Sequence, residues 1–139
     1  MINDDNQIRR ILTDYKNIAV VGLSPDRYRA SNSVAIYLLE HGYNVIPVNP
    51  SIDEVLGFKS YDSLEEIPVA IDIVDVFRRS EHIPDIAREA AETGAKVLWT
   101  QLGVISPDGT EIAETSGLKV VQDRCTAIEH RRLVSSGTL

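Results

Sequence analysis

Five of the ten arginines, Arg27, Arg29, Arg78, Arg79 and Arg124, follow short apolar runs, whereas Lys16, Lys96 and Lys119 precede such runs. A guanidinium group offers a planar fork that fits phosphate oxygens, and it keeps its charge at any ordinary pH. Cations gathered after the apolar runs therefore point to a small phosphorylated ligand. Solvated arginines paired with nearby acids are the competing explanation, strongest for Arg79 with Glu81 close by.

The stretch Gly22-Leu23-Ser24-Pro25-Asp26-Arg27-Tyr28-Arg29-Ala30-Ser31-Asn32 carries most of the candidate groups. Gly22 admits a ligand close to the backbone, and Ser24 and Ser31 offer hydroxyls. The free amides of a following helix can hold an anion. Ser31 or Asn32 serves equally well as a plain N-cap. With one glycine the stretch is neither G-x-G-x-x-G nor a P-loop, which argues against a standard dinucleotide wrap. Asn49-Pro50 ends the second apolar run, where dinucleotide folds place an acid for the ribose. Asn49 is no acid, which disfavours NAD, although its amide can bond ribose or adenine. Pro47 and Pro50 fix φ and stiffen the wall, or simply punctuate the loop. Gln101 and Gly103, in Trp99-Thr100-Gln101-Leu102-Gly103, can meet a ligand from the other side; Trp99 is assigned to packing.

Cys125, Glu129 and His130 suggest different chemistry. A cysteine at a helix start beside Arg124 has reason for a lowered pKa. His130 lies five residues on, about 140° around a helix from Cys125, so a Cys–His couple is poorly set up. One cysteine with His41 and His82 elsewhere does not make a zinc site. Cys125 is therefore expected as a packed thiol. No paired carboxylate and no Ser-His-Asp pattern is visible, and no catalytic residue or metal ligand is assigned.

The elements that must position these groups can be read from periodicity. Residues 3–15 form an amphipathic helix through Ile8, Ile11, Leu12 and Tyr15. Strands are expected at 18–21, 43–48, 70–77, 96–99 and 118–121. Helices are expected after Ser31 or Asn32 up to His41, over 80–91 with Pro84 in the first turn, over 110–115, and over 126–133. A helical turn is expected over 52–56, a capping box at 63–66 and a turn at 106–109. Such alternation predicts a single α/β domain, Rossmann-like and doubly wound, with a mostly parallel five-stranded sheet. The expected strand order is 3-2-1-4-5, with ligands at the strand carboxyl ends beside the reversal.

At 139 residues the chain suits one domain with a real core. Fourteen basic against 21 acidic residues give a net charge of −7, the wrong field for nucleic acid. No apolar run is long enough to span a membrane, and the acidic start Met1-Ile2-Asn3-Asp4-Asp5-Asn6 is unlike a signal peptide. A cytoplasmic location is the default, and a single cysteine excludes an intrachain disulfide. Symmetry statistics favour a homodimer slightly over a monomer.

Several blocks together carry a resemblance: Ile18-Ala19-Val20-Val21-Gly22-Leu23-Ser24, Gly42-Tyr43-Asn44-Val45-Ile46-Pro47-Val48-Asn49-Pro50, and Asp72-Ile73-Val74-Asp75-Val76-Phe77-Arg78-Arg79-Ser80. Trp99-Thr100-Gln101-Leu102-Gly103 and Asp123-Arg124-Cys125 with Glu129-His130 complete it. From about Lys16 to Leu133 the chain resembles the small stand-alone CoA-binding-domain proteins of bacteria and archaea. These are related to the nucleotide-binding domain of succinyl-CoA synthetase α chains.

The resemblance implies a Rossmann-like fold binding coenzyme A, with no reaction established for stand-alone members. The diphosphate would lie at Gly22, Ser24, Arg29 and Ser31. The adenosine would pass Asn49, Pro50 and a wall of Val76, Phe77 and Arg78, with Gln101 and Gly103 opposite. The chain departs from the family pattern at Arg29-Ala30-Ser31, where Arg-Pro-Ser is usual, and at Thr100 and Gln122, where Met is usual. A turn at 106–109 is expected to replace part of a helix that usually begins there. Ligase chemistry is not expected, because the synthetase routes phosphate through a histidine on another domain and His130 does not inherit that role. The alternatives are an NAD(P)-dependent redox protein, a thiol sensor forming a mixed disulfide with coenzyme A at Cys125, and an interaction module for an acyl-CoA pathway.

Overall fold

A computed structural model describes all 139 residues. The sheet strands are β1 (Asn17–Val21), β2 (Asn44–Val48), β5 (Ile73–Val76), β6 (Val97–Thr100) and β7 (Lys119–Val121). All run parallel, in the order β2-β1-β5-β6-β7. Two short strands, β3 (Glu54–Val55) and β4 (Phe58–Lys59), pair antiparallel outside that sheet. The helices are α1 (Asp5–Asp14), α2 (Ala30–Glu40), α3 (Ile83–Glu92), α4 (Pro107–Thr115) and α5 (Thr126–Ser135).

Helices cover both faces of the sheet. Ile18, Val20, Ile73, Val97 and Trp99 pack with residues of α1, α2 and α5 on one face. Ala19, Val21, Val74, Val76 and Leu98 pack with residues of α3 and α4 on the other. This double coverage explains why β1 and β6 read as unbroken apolar runs. It makes the chain a single Rossmann-like α/β domain. No helix is long and apolar enough to cross a membrane.

The strand order corrects the expected 3-2-1-4-5. The third main strand, β5, lies beside β1 on the side away from β2, with Ile18 to Val21 in register with Ile73 to Val76. Pro47 supplies the physical reason. A proline cannot donate to a ladder, so it is confined to an edge strand with its ring turned outward. Beyond β2 there is only an isolated bridge, in which the Tyr61 amide donates to the Pro47 carbonyl at 3.0 Å.

Two local expectations also change. Residues 52–56 form no helical turn: Leu56 (φ 54°) and Gly57 (φ 82°) make the two-residue turn between β3 and β4. Consecutive positive φ angles are what a tight hairpin needs. The stretch 106–109 is no separate turn either, because α4 begins at Pro107 and Ser106 Oγ accepts the Gly109 amide at 3.0 Å. Gly109 is there for packing. A Cβ at that position would lie 2.5 Å from Ile83 Cγ2.

That contact sets two effects against each other in Gly109→Ala. Better helix propensity is worth up to about 1 kcal/mol. Overpacking against the β-branched, buried Ile83 costs about 1–3 kcal/mol. The variant should lose stability, read as a lower urea midpoint at unchanged slope.

Candidate functional site

The chain turns from β1 into α2 and reaches β2 on one side, then crosses to β5 on the other. The ends of β1 and β5 therefore flank a reversal point, the place where such sheets bind ligands. Gly22 leaves β1 at φ +87°, its amide donating to the Val48 carbonyl at 2.8 Å, while the Phe77 amide donates to the Val21 carbonyl at 2.9 Å. A Cβ on Gly22 would stand 2.7 Å from the Phe77 carbonyl oxygen and 3.1 Å from Arg78 Cδ. Gly22 thus lets two strand ends converge, a role in the chain itself beyond admitting a ligand.

The loop after Gly22 is folded on its own polar groups. Ser31 Oγ accepts the Ser24 amide at 3.0 Å, and Asn32 Nδ2 donates to the Ser24 carbonyl at 2.9 Å. Ser24 Oγ accepts the Asp26 amide and Asp26 Oδ1 accepts that of Tyr28. Neither Ser31 nor Asn32 is the N-cap, because α2 begins at Ala30 and both lie inside its first turn, where Asn32 Oδ1 is buried without a partner. Arg29 takes the cap position without a side-chain bond, and the first amides of α2 stay open beside it.

Three cavities meet around Gly22, Phe77 and Arg78. One of about 420 Å³ is lined by Gly22, Asn49, Pro50 and Arg78, together with the acids Asp62 and Glu89. A second, about 320 Å³, is lined by Gly22, Ser24, Arg29, Ala30, Ser31 and Phe77. The third, about 650 Å³, joins Phe77, Arg78, Gln101 and Gly103 to an apolar wall that includes Val34, Leu102 and Ile128. Ten of the eleven candidate residues line this crevice. Val76 does not: it is fully buried, its side chain in the core beneath α3 and α4. Asn49 lines the wall, but its amide donates to the Leu23 carbonyl and its Oδ1 accepts the Ser51 amide. The apolar wall escaped the sequence reading because Val34, Leu102 and Ile128 come from three separate elements.

The charges sort themselves. Arg79 pairs with Glu81 at 3.3 Å. Arg124 bonds Glu129, and Arg27 lies over the Tyr28 ring. Arg29 and Arg78 form no ion pair, and both are exposed at the crevice. The cavity at Ser24 has no acid in its wall, whereas the one at Asn49 has two. An anion is therefore favoured at Arg29 and disfavoured beside Asp62 and Glu89.

Beneath the third cavity lies a carboxylate that the sequence reading does not single out. Asp75, in the central strand, is fully buried. Its Oδ1 accepts from Gln101 Nε2 and its Oδ2 from Thr126 Oγ1 at 3.0 Å. Burial pushes its carboxyl up to about 7, against the opposing pull of those two hydrogen bonds. The available signal was an acid inside the otherwise apolar run Ile73-Val74-Asp75-Val76. Cys125 lines the same cavity and is buried, as expected of a packed thiol, and the lowering that a helix start beside Arg124 could give is absent. Burial pushes its thiol up, and Arg124 is engaged by Glu129. His130 Nδ1 meets Tyr37 Oη at 2.8 Å.

The family described as the CoA binding domain matches residues 16–131, and the chain belongs to that family. It is 45% identical over 124 residues to YneT of Bacillus subtilis (strain 168), covering 89% of this chain and 92% of that protein. A solved protein of Pyrococcus horikoshii OT3 superposes with a TM-score of 0.93 at 45% identity, over 95% of this chain and 93% of the other. The alpha subunit of ADP-forming acetate–CoA ligase II from Pyrococcus furiosus is 29% identical over 124 residues. That match takes in 81% of this chain but only 27% of the subunit.

The buried carboxyl gives a signed prediction. Asp75 ionises near 3.8 when unperturbed and about 7 in the fold, so the folded state prefers the proton. The resulting stability is complete below about pH 4 and lost as pH rises through about 7. Asp75→Asn removes this dependence. Its stability advantage over the parent should grow across that window to at most about 4 kcal/mol, measured by urea unfolding at several pH values.

Proposed function

We propose that the crevice binds coenzyme A. The observation that carries the reading is that Arg29 and Arg78 lack carboxylate partners in a chain of net charge −7, beside the open amides of α2. Unpaired guanidinium groups at the carboxyl edge of a parallel sheet are what a diphosphate requires. Membership of the CoA binding domain family supports the same ligand, as does similarity to a subunit named as an acetate–CoA ligase.

The cavities divide such a ligand by chemistry. The diphosphate belongs at Gly22, Ser24, Arg29 and Ser31, where no acid lines the wall. The adenine belongs at Asn49 and Pro50, since a neutral base tolerates Asp62 and Glu89 nearby, and the ribose 3′-phosphate belongs on the Arg78 side of that cavity. Phe77 and Arg78 form the divide between these sections. The pantetheine arm then runs past Gln101 and Gly103 along the apolar wall of Leu102 and Ile128. Binding without catalysis is the function proposed, since burial pushes Cys125 toward the neutral thiol and Asp75 is bonded to Gln101 and Thr126 with no oxygen in the cavity lining. A nicotinamide dinucleotide fits less well. Asn49 stands where the ribose acid would be, and its side chain is bonded to Leu23 and Ser51.

Calorimetric titration with coenzyme A tests the reading, with NADH as the comparison. One site per chain is expected, with NADH binding more weakly. Arg29→Ala and Arg78→Ala should each weaken coenzyme A by about 10-fold or more, the usual effect of losing a charged hydrogen bond. Tighter binding of NADH, or unchanged affinity in both variants, would defeat it.

A further inference from the structure

The polar network under the third cavity fixes the orientation of one side chain in the proposed pantetheine section. Gln101 Nε2 donates to Asp75 Oδ1 and lies 3.5 Å from Thr126 Oγ1, so both of its hydrogens are directed inward. The Gln101 backbone is also occupied, its amide donating to the Val76 carbonyl and its carbonyl accepting the Val104 amide. Gln101 Oε1 accepts nothing from the protein, and Gln101 lines the cavity. An ionised carboxylate can only accept hydrogen bonds, so the amide must present Nε2 to it and turn its oxygen away.

We propose that Asp75 is a positioning residue for the crevice: by holding Gln101 Nε2 inward, it leaves Gln101 Oε1 as the acceptor for an amide N–H of the ligand's arm. The identity of that ligand rests on the coenzyme A reading; the orientation of the amide does not. A proton taken up from solvent turns Asp75 into a donor. Its O–H can then be given to Gln101 Oε1, the amide turns over, and the cavity meets Nε2 in place of an acceptor. Burial brings this exchange close to neutral pH, at about 7.

The surroundings leave the switch to Asp75. Its cross-strand neighbours, Val20 and Trp99, do not titrate. On α5 and its cap, Cys125 is held protonated, Glu129 is bonded by Arg124 and Arg132, His130 is bonded to Tyr37 of α2, and Arg131 lies over the Tyr37 ring. On α1, Asp5 is paired with Arg132. Arg78 and Arg79 line the cavity.

Coenzyme A titrations of the parent and Asp75→Asn between about pH 6 and 8.5 test this. The asparagine keeps the amide orientation, its Oδ1 accepting from Gln101 and its Nδ2 donating to Thr126, but it cannot titrate. Both proteins share the ligand's own titrations, so their difference isolates Asp75. The parent should lose about 10-fold in affinity relative to Asp75→Asn on going from the alkaline to the acid end. Gln101→Met should bind weakly at both ends. Parallel pH profiles for parent and Asp75→Asn would overturn the proposal. If no variant binds coenzyme A, that reading fails alone, and the side-chain amide resonances of Gln101 decide the positioning claim. They should titrate in the parent and stay fixed in Asp75→Asn; fixed resonances in both would overturn it.

Discussion

The whole crevice depends on the ends of β1 and β5 running out of the sheet side by side. Val21 and Val76 are paired, and the next residues, Gly22 and Phe77, stand too close for any side chain on the first. That closeness forces the two following loops apart. One rises toward α2 and carries Ser24, Arg29 and Ser31; the other turns toward α3 and carries Arg78. A cleft with cations on two sides follows, because right-handed crossovers that leave β1 and β5 in opposite directions put α2 and α3 on opposite faces, and Gly22 lets the two strand ends stay close.

Charge then decides what such a cleft can hold. Four of the ten arginines, Arg79, Arg88, Arg124 and Arg132, pair with carboxylates, and of the other six only Arg29 and Arg78 line the crevice. The local bonds around Ser24 act beside the charges. They stiffen the loop before any ligand arrives, so less conformational freedom is lost on binding. Ser31 and Asn32 would have served α2 as caps, but capping would have filled the helix end that an anion can use.

Much of this was legible in the sequence, and the failures have physical reasons. The five main strands, the α/β class and the loop of Gly22 to Asn32 emerge from apolar runs and their interruptions. The strand order did not, although Pro47 carried the information: a proline within an apolar run marks an edge, and an edge β2 forces β5 to the far side of β1. Residues 106–109 look like a turn because Ser-Pro-Asp-Gly suits a turn and a helix start alike. Only the approach of Ile83, distant in sequence, explains Gly109. Leu56 could not be foreseen at positive φ, since nothing local favours that conformation for a leucine. The family resemblance puts Val76 in the ligand wall beside Phe77, but alternation along the strand turns its side chain to the core beneath α3 and α4.

Asp75 is the hardest residue to explain by packing alone. A carboxylate in the middle of a central strand, without a cation, is among the costlier groups a fold can bury. Two hydrogen bonds reduce that cost but leave the carboxyl strongly perturbed. An asparagine would satisfy the same partners, accepting from Gln101 and donating to Thr126, with no charge to desolvate. A residue serving only to tie β5 to α5 has no need of a group that can ionise. What the carboxylate adds is control over its neighbour, because its protonation state determines which end of the Gln101 amide faces outward. The stability cost therefore falls on the one position in the sheet core whose charge reaches the crevice through a single side chain.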